Sequence, residues 1–454
     1  MTAEYLRFLL VAVLLLAILA TAYRPKWLPL VAVGGFLAFY GPVAIGRVQS
    51  WNVFHYWLNT KYLAEIGFTD LYSCAYEATP DKFGAIARNL NTYHYQRASD
   101  LPPCPRENFT AGRWQEFKTD LSWLQARPAR TLVWDGVIRD KGLNTTPTWL
   151  AIAEPLANAF TVGSVGWWAL LYADFILLVA ALVLVGFVRG PQVAALMAIF
   201  LLTWVGTAAQ LMGHWFQYLW LVLCLVGAVS WHKKKWALSG SALALAAALR
   251  IFPAVLLIWP LLHWRRVDKR FWLAAIATGL TAMLAGSFTS LGWGIWSQFL
   301  NKMLLHSSHI VIELGNLGLR NTIAVAIDPA GSMATWEAFA MGEISIMGFP
   351  SPPAGAWVAV FIMTALATIA AAKQPKMSFG SGLPFLFSGL VVSSYYYGMV
   401  ALSFDDASQE DAVILLTISL IFFVLMYWLH PVVSYSVGQF ALFLYLYWRI
   451  KKWT

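Results

Sequence analysis

Apolar runs recur along the chain at about 6–22, 27–44, 164–188, 193–211, 214–231, 271–292, 355–373, 380–402, 411–429 and 431–448, each on the order of the 20 residues that carry a helix across roughly 30 Å of hydrocarbon. Between the second and third runs lies a polar stretch from Gly46 to Phe160, and a second polar interval separates Trp293 from Ala354. The pattern predicts an all-α polytopic membrane protein of about 10 transmembrane helices. Its expected units are two N-terminal transmembrane helices (1–45), an extracytoplasmic loop with amphipathic helices (46–160), further transmembrane helices (161–292), a second extracytoplasmic loop (293–354) and C-terminal transmembrane helices (355–454). Tyr23-Arg24-Pro25-Lys26 follows the first run where small cleavage-site residues would be needed, so that run reads as a retained anchor.

The interval 236–263 breaks the rhythm. Both flanks are basic, His232-Lys233-Lys234-Lys235 and Trp264-Arg265-Arg266, so one crossing would place a basic flank on the wrong side. Its middle contains Leu249-Arg250-Ile251-Phe252-Pro253; the proline weakens a helix and the arginine is costly at mid-bilayer. Two half-length helices that enter and leave on the cytoplasmic side, their break shielded by protein, are expected. A tilted, kinked span with Arg250 reaching for the interface is the alternative.

With 59% hydrophobic and 12% charged residues, the chain departs from the roughly 25% charge of soluble domains. Its formal charge of +9 sits mostly in short clusters at the ends of apolar runs, which fits positive-inside topology and gives nucleic acid no binding domain. With the long loop outside, Arg24, Lys26, Arg189, Lys233 to Lys235, Arg265, Arg266, Lys269, Arg270, Lys373 and Lys376 face the cytoplasm, while Arg7, Arg449, Lys451 and Lys452 oppose the rule. The acidic connection 404–411 is expected on the external face. No internal repeat is evident, which gives inverted-repeat transporters no support.

Cys74 and Cys104 both lie in the long loop, where a disulfide would fit an oxidising compartment and stabilise the loop by roughly 3 kcal/mol; two unpaired thiols are the alternative. Cys224, inside an apolar run, reads as a small core residue. Val53 to Ile66 has the spacing of an amphipathic helix along the membrane face, and Arg113 to Leu124 places Trp114, Phe117, Leu121 and Leu124 on one side of a second.

Acids that could take a proton are Glu65, Asp70, Asp135, Asp140 and Asp174. Asp140 precedes Gly142 and Pro147, turn formers just before the chain re-enters the membrane, and either reaches a groove mouth or stabilises its own turn. Asp174 sits inside an apolar run and needs a partner such as Arg250 or His214, in a structural polar pair or a catalytic role. Lys302, His306, His309 and Arg320, near Trp293 and Trp296, form a basic group suited to a phosphate or phospholipid head group, solvated loop charge being the bland reading. No metal set, nucleotide loop or cofactor motif appears.

Two stretches carry a family resemblance. Asn52-Val53-Phe54-His55-Tyr56 through Gly67-Phe68-Thr69-Asp70-Leu71-Tyr72, and Leu249-Arg250-Ile251-Phe252-Pro253 after a small-residue helix, resemble elements of the GT-C superfamily of polyprenyl-phosphate-sugar-dependent glycosyltransferases. The nearest likeness is to the bacterial polyprenyl-phosphate-mannose-dependent mannosyltransferases. The resemblance implies a multi-pass protein of the bacterial inner membrane with its active face extracytoplasmic. It implies a polyprenyl-phosphate-linked sugar donor, mannose-like favoured, a lipid or glycan acceptor, and no obligatory metal or other cofactor. The donor phosphate would lie near Lys302, His306 or Arg320. Where the family's general base would fall this chain has Asn52, whose amide cannot take a proton; Asp140 and Glu65 are the candidate relocated bases, followed by His55. A catalytically inactive homologue or scaffold, or a transporter of lipid-linked saccharide, is the alternative function.

Overall fold

The computed structural model describes residues 3–40, 48–127, 132–204, 207, 211–308, 319–334, 354–373, 382–386 and 394–452; a few side chains inside these stretches, those of Asp135 and Arg320 among them, lie outside the description. The chain folds as a helical bundle with a cap at one end. In order come α1 (Ala3–Tyr23) and α2 (Leu28–Tyr40), then the cap with α3 (Leu71–Ala78), a short hairpin of β1 (Ile86–Arg88) and β2 (Tyr95–Arg97), and α4 (Ala111–Gln125). The bundle resumes with α5 (Pro147–Ala159), α6 (Val165–Arg189), α7 (Pro191–Thr203), α8 (Leu219–His232), α9 (Trp236–Leu249) and α10 (Lys269–Ala285). There follow α11 (Gly294–Ser308), α12 (Leu319–Ile327), α13 (Ala354–Lys373), α14 (Gln409–Trp428) and α15 (Pro431–Lys452).

The helix ends follow local chemistry. Ser164 and Thr146 accept the amides of Trp167 and Trp149 at the starts of α6 and α5, and Ser408 and Asp411 form a reciprocal capping box on α14. Large apolar side chains along the bundle turn outward, Phe187 and Phe288 being 84% and 86% exposed, as lipid-facing surfaces do and water-facing ones do not. The segments Val165–Arg189 and Lys269–Phe288 are long and apolar enough to cross a bilayer.

The lengths do not describe ten similar spans. α7, α8 and α9 have 13, 14 and 14 residues, about 20 Å of helix against a core of about 30 Å. α9 stops at Leu249, and the following 3-10 turns carry the chain back to Trp259, whose ring lies 6.4 Å from Trp231, itself 4.8 Å from Trp236 at the start of α9. The runs expected as crossings at 193–211 and 214–231 likewise end short, joined by irregular backbone around Gly213. There the Gly213 carbonyl accepts the Gln49 amide at 2.9 Å and the Phe216 carbonyl accepts Trp149 Nε1 at 3.1 Å. Irregular backbone at membrane depth is tolerable where protein supplies such partners.

The cap also differs from expectation in one respect. Residues 50–66 form consecutive helical turns, including a π-type turn over Phe54–Leu58, but they do not lie along a membrane face. Trp57, Leu58, Tyr62 and Leu63 are fully buried, and so are Asn59 and Thr60 on the other side, because α4 packs on the turn at Phe54–Leu58 and α5 on Asn59–Lys61. Lys61 Nζ reaches Asp120 at 2.6 Å and Glu116 at 2.7 Å, while the Tyr62 hydroxyl donates to Asp120 at 2.8 Å. Trp114, Phe117, Leu121 and Leu124 of α4 are buried on one side, and the Cys74–Cys104 disulfide ties α3 to the strand-to-α4 connection.

The connection 404–411 lies at the opposite end from the one expected. Asp405 accepts Arg189 Nε at 2.6 Å and pairs with His232, Arg449 reaches Asp406 at 2.9 Å, and Gln409 donates to the Thr21 carbonyl at 2.6 Å. These acids neutralise the basic end of the bundle instead of facing away from it. The same contacts bring the Arg449 end of α15 to that end, so Arg449 joins the positive cluster it had opposed. With Glu410→Cys, Lys234→Cys and Asp81→Cys each introduced singly in a Cys224→Ser background, impermeant maleimide should label Glu410→Cys and Lys234→Cys from one face of oriented vesicles and Asp81→Cys from the other. Labelling of Glu410→Cys together with Asp81→Cys would restore the original topology.

Candidate functional site

Residues 139–146 pass between cap and bundle and gather the site. Their entry is stapled by Arg88, whose amide donates to the Ile138 carbonyl at 2.8 Å and whose buried guanidinium donates to the carbonyls of Arg139 at 3.1 Å and Tyr93 at 3.2 Å. At Gly142 the backbone has φ 66, a conformation that favours glycine. A Cβ there would also sit 2.7 Å from Leu90 Cδ1 and 3.1 Å from Lys302 Nζ. The Gly142 amide donates to the Tyr72 hydroxyl at 2.9 Å, and that hydroxyl lies 2.7 Å from His55 Nε2. His55 Nδ1 lies 2.8 Å from the Trp51 carbonyl, which only accepts, so the neutral ring carries its proton on Nδ1 and takes the Tyr72 proton on Nε2. Burial lowers the His55 pKa, with Asp140 opposing, and favours this neutral form.

The turn thus held presents Asp140. Its carboxylate accepts Trp51 Nε1 at 2.7 Å and lies 3.7 Å from His55 Nδ1, with the side chain 27% exposed. Burial pushes its pKa up, but His55, Lys141 and the Trp51 N–H outweigh that and hold it below the usual carboxylate range. Four residues on, Asn144 accepts the Tyr56 hydroxyl at 2.7 Å and offers its carbonyl to Arg250 at 3.4 Å, while the Thr146 hydroxyl donates to the Ala248 carbonyl at 2.6 Å. The break after α9 is therefore capped by this same segment, with the Arg250 guanidinium 4.8 Å from the Tyr56 ring centre.

Lys302 stands behind the turn on α11. It is buried, its Nζ donates to the Phe68 carbonyl at 2.9 Å, and burial drops its pKa to about 7 despite the pull of Asp140. His306, one turn further, lies with Nδ1 3.3 Å from the Tyr93 hydroxyl, which is equally 3.3 Å from the Lys141 carbonyl. On its other side Lys302 lines a cavity of about 420 Å³ shared with Glu65, Asp70, Gln298 and Asn301. Glu65 Oε1 accepts Arg113 Nε at 2.7 Å.

Asp140, His55, Lys302 and His306 thus cluster around the turn at 139–146, and Glu65 shares with Lys302 the wall of the adjoining cavity. Asn52 is turned elsewhere: it donates to Gln217 at 2.7 Å and accepts the Trp215 amide at 3.0 Å, locking the irregular segment around Gly213 to the cap. Asp174 accepts the Tyr218 amide at 2.8 Å, at the start of α8. Arg250 is engaged instead with Tyr56 and Asn144, so the structure does not make the Asp174–Arg250 pair that the sequence suggested. His309 and the Arg320 side chain lie outside the described residues. Trp51, Tyr72 and Arg113 were not singled out from sequence as site residues; Tyr72 alone had a signal, as the last residue of the Gly67-to-Tyr72 stretch.

A model of glycosyltransferase family 87 matches residues 145–394, more than half of the 454-residue chain. The chain belongs to glycosyltransferase family 87. No curated protein and no solved structure gives a significant match. The family 87 match takes in α5 to α13, including the Leu249-to-Pro253 break, and begins within the segment 139–146; Asp140 lies five residues before it, and α1, α2, the cap with His55 and Glu65, α14 and α15 lie outside it. Family membership makes the protein a glycosyltransferase, and with its outward apolar helices a membrane one.

The depressed Lys302 pKa has a defined consequence for stability. Below about pH 7 both folded and unfolded chains hold the proton and the full cost of burying the ammonium is present; between about pH 7 and the unfolded pKa near 10.4 the unfolded chain alone holds it, so stability rises with pH. In nanodiscs, the apparent unfolding temperature should climb between pH 7 and pH 9.5 for the parent. The climb should be smaller in Lys302→Met, which should be the more stable of the two at pH 6.5. Superimposable pH profiles would show that Lys302 is not desolvated.

Proposed function

We propose that the chain transfers a sugar, mannose-like favoured, from a polyprenyl phosphate donor to an acceptor hydroxyl on the extracytoplasmic face of a bacterial inner membrane, with Asp140 as general base. The observation that carries the reading is the return of Asp140 to Trp51 and His55, beside the position where the GT-C pattern expects its acid. A carboxylate held ionised and partly exposed is available to the proton of an incoming hydroxyl. His55 and Tyr72 use their polar atoms on one another and on backbone, so they position the turn instead of taking the proton.

Asp140 takes the proton of the acceptor hydroxyl as its oxygen attacks the anomeric carbon. The bond from that carbon to the phosphate oxygen breaks, and the electron pair leaves with polyprenyl phosphate. In-line attack inverts the anomeric centre. Lys302, recharged by the approach of an anion, and His306 stabilise the leaving phosphate, where charge develops in the transition state. Asn52 serves the architecture, with both amide groups committed to the loop at 215–217, which favours a relocated base over a lost one.

In lipid nanodiscs with polyprenyl phosphate sugar donors, Asp140→Asn should lower kcat by about 10²–10⁴ with donor KM little changed. Asn52→Asp should not raise activity and should cost stability, because it replaces an amide donor to Gln217 and leaves a buried group unmatched, typically about 1–3 kcal/mol. An active Asp140→Asn protein, or a silent parent revived by Asn52→Asp, would reject this assignment of the base.

A further inference from the structure

We propose that the cavity between residues 64–70 and α11 is a recognition subsite for one neutral pyranose ring, with Glu65 Oε2 as its main hydroxyl acceptor. The proposal rests on the glycosyltransferase reading above and names a binding site for it. Glu65 is 8% exposed. Its Oε1 is occupied by Arg113, whose guanidinium also donates to the Lys61 carbonyl at 2.7 Å and to Glu116 at 2.9 Å. Its Oε2 is buried with no hydrogen-bond partner among the described residues. A buried carboxylate oxygen left unmatched costs free energy unless a ligand supplies the donor. Arg113 fixes the carboxylate so that this oxygen stays where it is.

The rest of the lining matches a polyhydroxylated ring better than a phosphate. Asp70 adds a second carboxylate, partnered by Thr69 at 3.4 Å and by the Asn91 side chain, while Lys302 is the one basic side chain in the wall among the described residues. With the Glu65 charge matched by Arg113, Asp70 stands against the one amine, itself already bonded to the Phe68 carbonyl, and an anion gains no net attraction. Asn91, Gln298 and Asn301 contribute amides that both donate and accept. Gly67, at φ 52 and with Gln298 Oε1 3.0 Å from where its Cβ would be, lets the backbone lie close to α11 at the edge of this space. The volume of about 420 Å³ falls within the range of small-molecule sites, roughly 300–1,000 Å³. Lys302 therefore divides the site: the phosphate belongs on its Asp140 and His306 side, the ring on its Glu65 side. The ring could come from the donor or from the end of an acceptor glycan, and the chemistry is shared.

Saturation-transfer NMR on the full chain in nanodiscs, with methyl α-mannopyranoside and methyl α-glucopyranoside as probes, tests this. At least one hexoside should bind, and inorganic phosphate should not displace it. Glu65→Gln should weaken it about tenfold, the scale of one charge-assisted hydrogen bond. Asn301→Ala, on an exposed helix face where folding is not at stake, should weaken it several-fold at unchanged thermal stability. Displacement by a short-chain polyprenyl phosphate hexose would assign the ring to the donor, and its persistence would assign the acceptor. No hexoside binding, equal binding to all three proteins, or displacement by phosphate would overturn the proposal. Asp140→Asn separates the two readings, since it should slow transfer by about 10²–10⁴ and keep hexoside binding. Transfer without hexoside binding would sink the subsite alone, and hexoside binding without transfer would sink the proposed reaction.

Discussion

A hydrogen-bonded relay from the Trp51 carbonyl through His55 and the Tyr72 hydroxyl to the Gly142 amide ties the first turns of the cap to the turn that carries Asp140. Each link contributes only about 1 kcal/mol net, but breaking one leaves a buried partner unmatched at a cost of about 1–3 kcal/mol. His55, Tyr72 and Gly142 are all shut away from solvent, so water cannot substitute. The relay thereby fixes where Asp140 points, and through Asn144 and Thr146 it also fixes where α9 ends. Reacting groups and bundle geometry share one constraint.

The half-length helices follow from the same economy. A helix that stops inside a bilayer exposes carbonyls and amides that lipid cannot satisfy. Thr146 accepts that duty for the end of α9, and Asn52 with Gln49 does so for the loop between α7 and α8. The cap is thus more than a lid over the bundle, because its polar side chains and backbone complete backbone that would otherwise be untenable. At the opposite end Asp405 and Asp406 perform the complementary task by neutralising Arg189, His232 and Arg449.

Charge placement around Lys302 gives the site its direction. A buried amine between Asp140 on one side and Glu65 with Asp70 on the other is poorly solvated until an anion or a hydroxyl cluster arrives. Desolvation that lowers its pKa also strengthens any interaction it makes with incoming charge. Arg113 plays the fixed counterpart, holding Glu65 from α4 and leaving one carboxylate oxygen for a ligand.

Hydropathy alone determined that this chain is helical and membrane-embedded, because apolar runs of bilayer length admit no other backbone. It also marked the Arg250–Pro253 break and the amphipathic face of α4, each from local residue chemistry. Asp140, Lys302 and His306 were visible as residue types able to move a proton or hold a phosphate. Their approach was not visible, because it depends on Arg88, Tyr72 and Gly142 folding a turn back onto Trp51, some ninety positions earlier. Helix lengths at 193–231 were overread for a related reason: hydropathy counts apolar side chains and does not see backbone bonds from the cap that let a helix stop short. The side on which 404–411 lies was misjudged because alternation assumes that every run crosses. Only tertiary structure, by pairing Asp405 with Arg189 and His232, decided at which end it lies, since a charge seeks its partner in space and not in sequence.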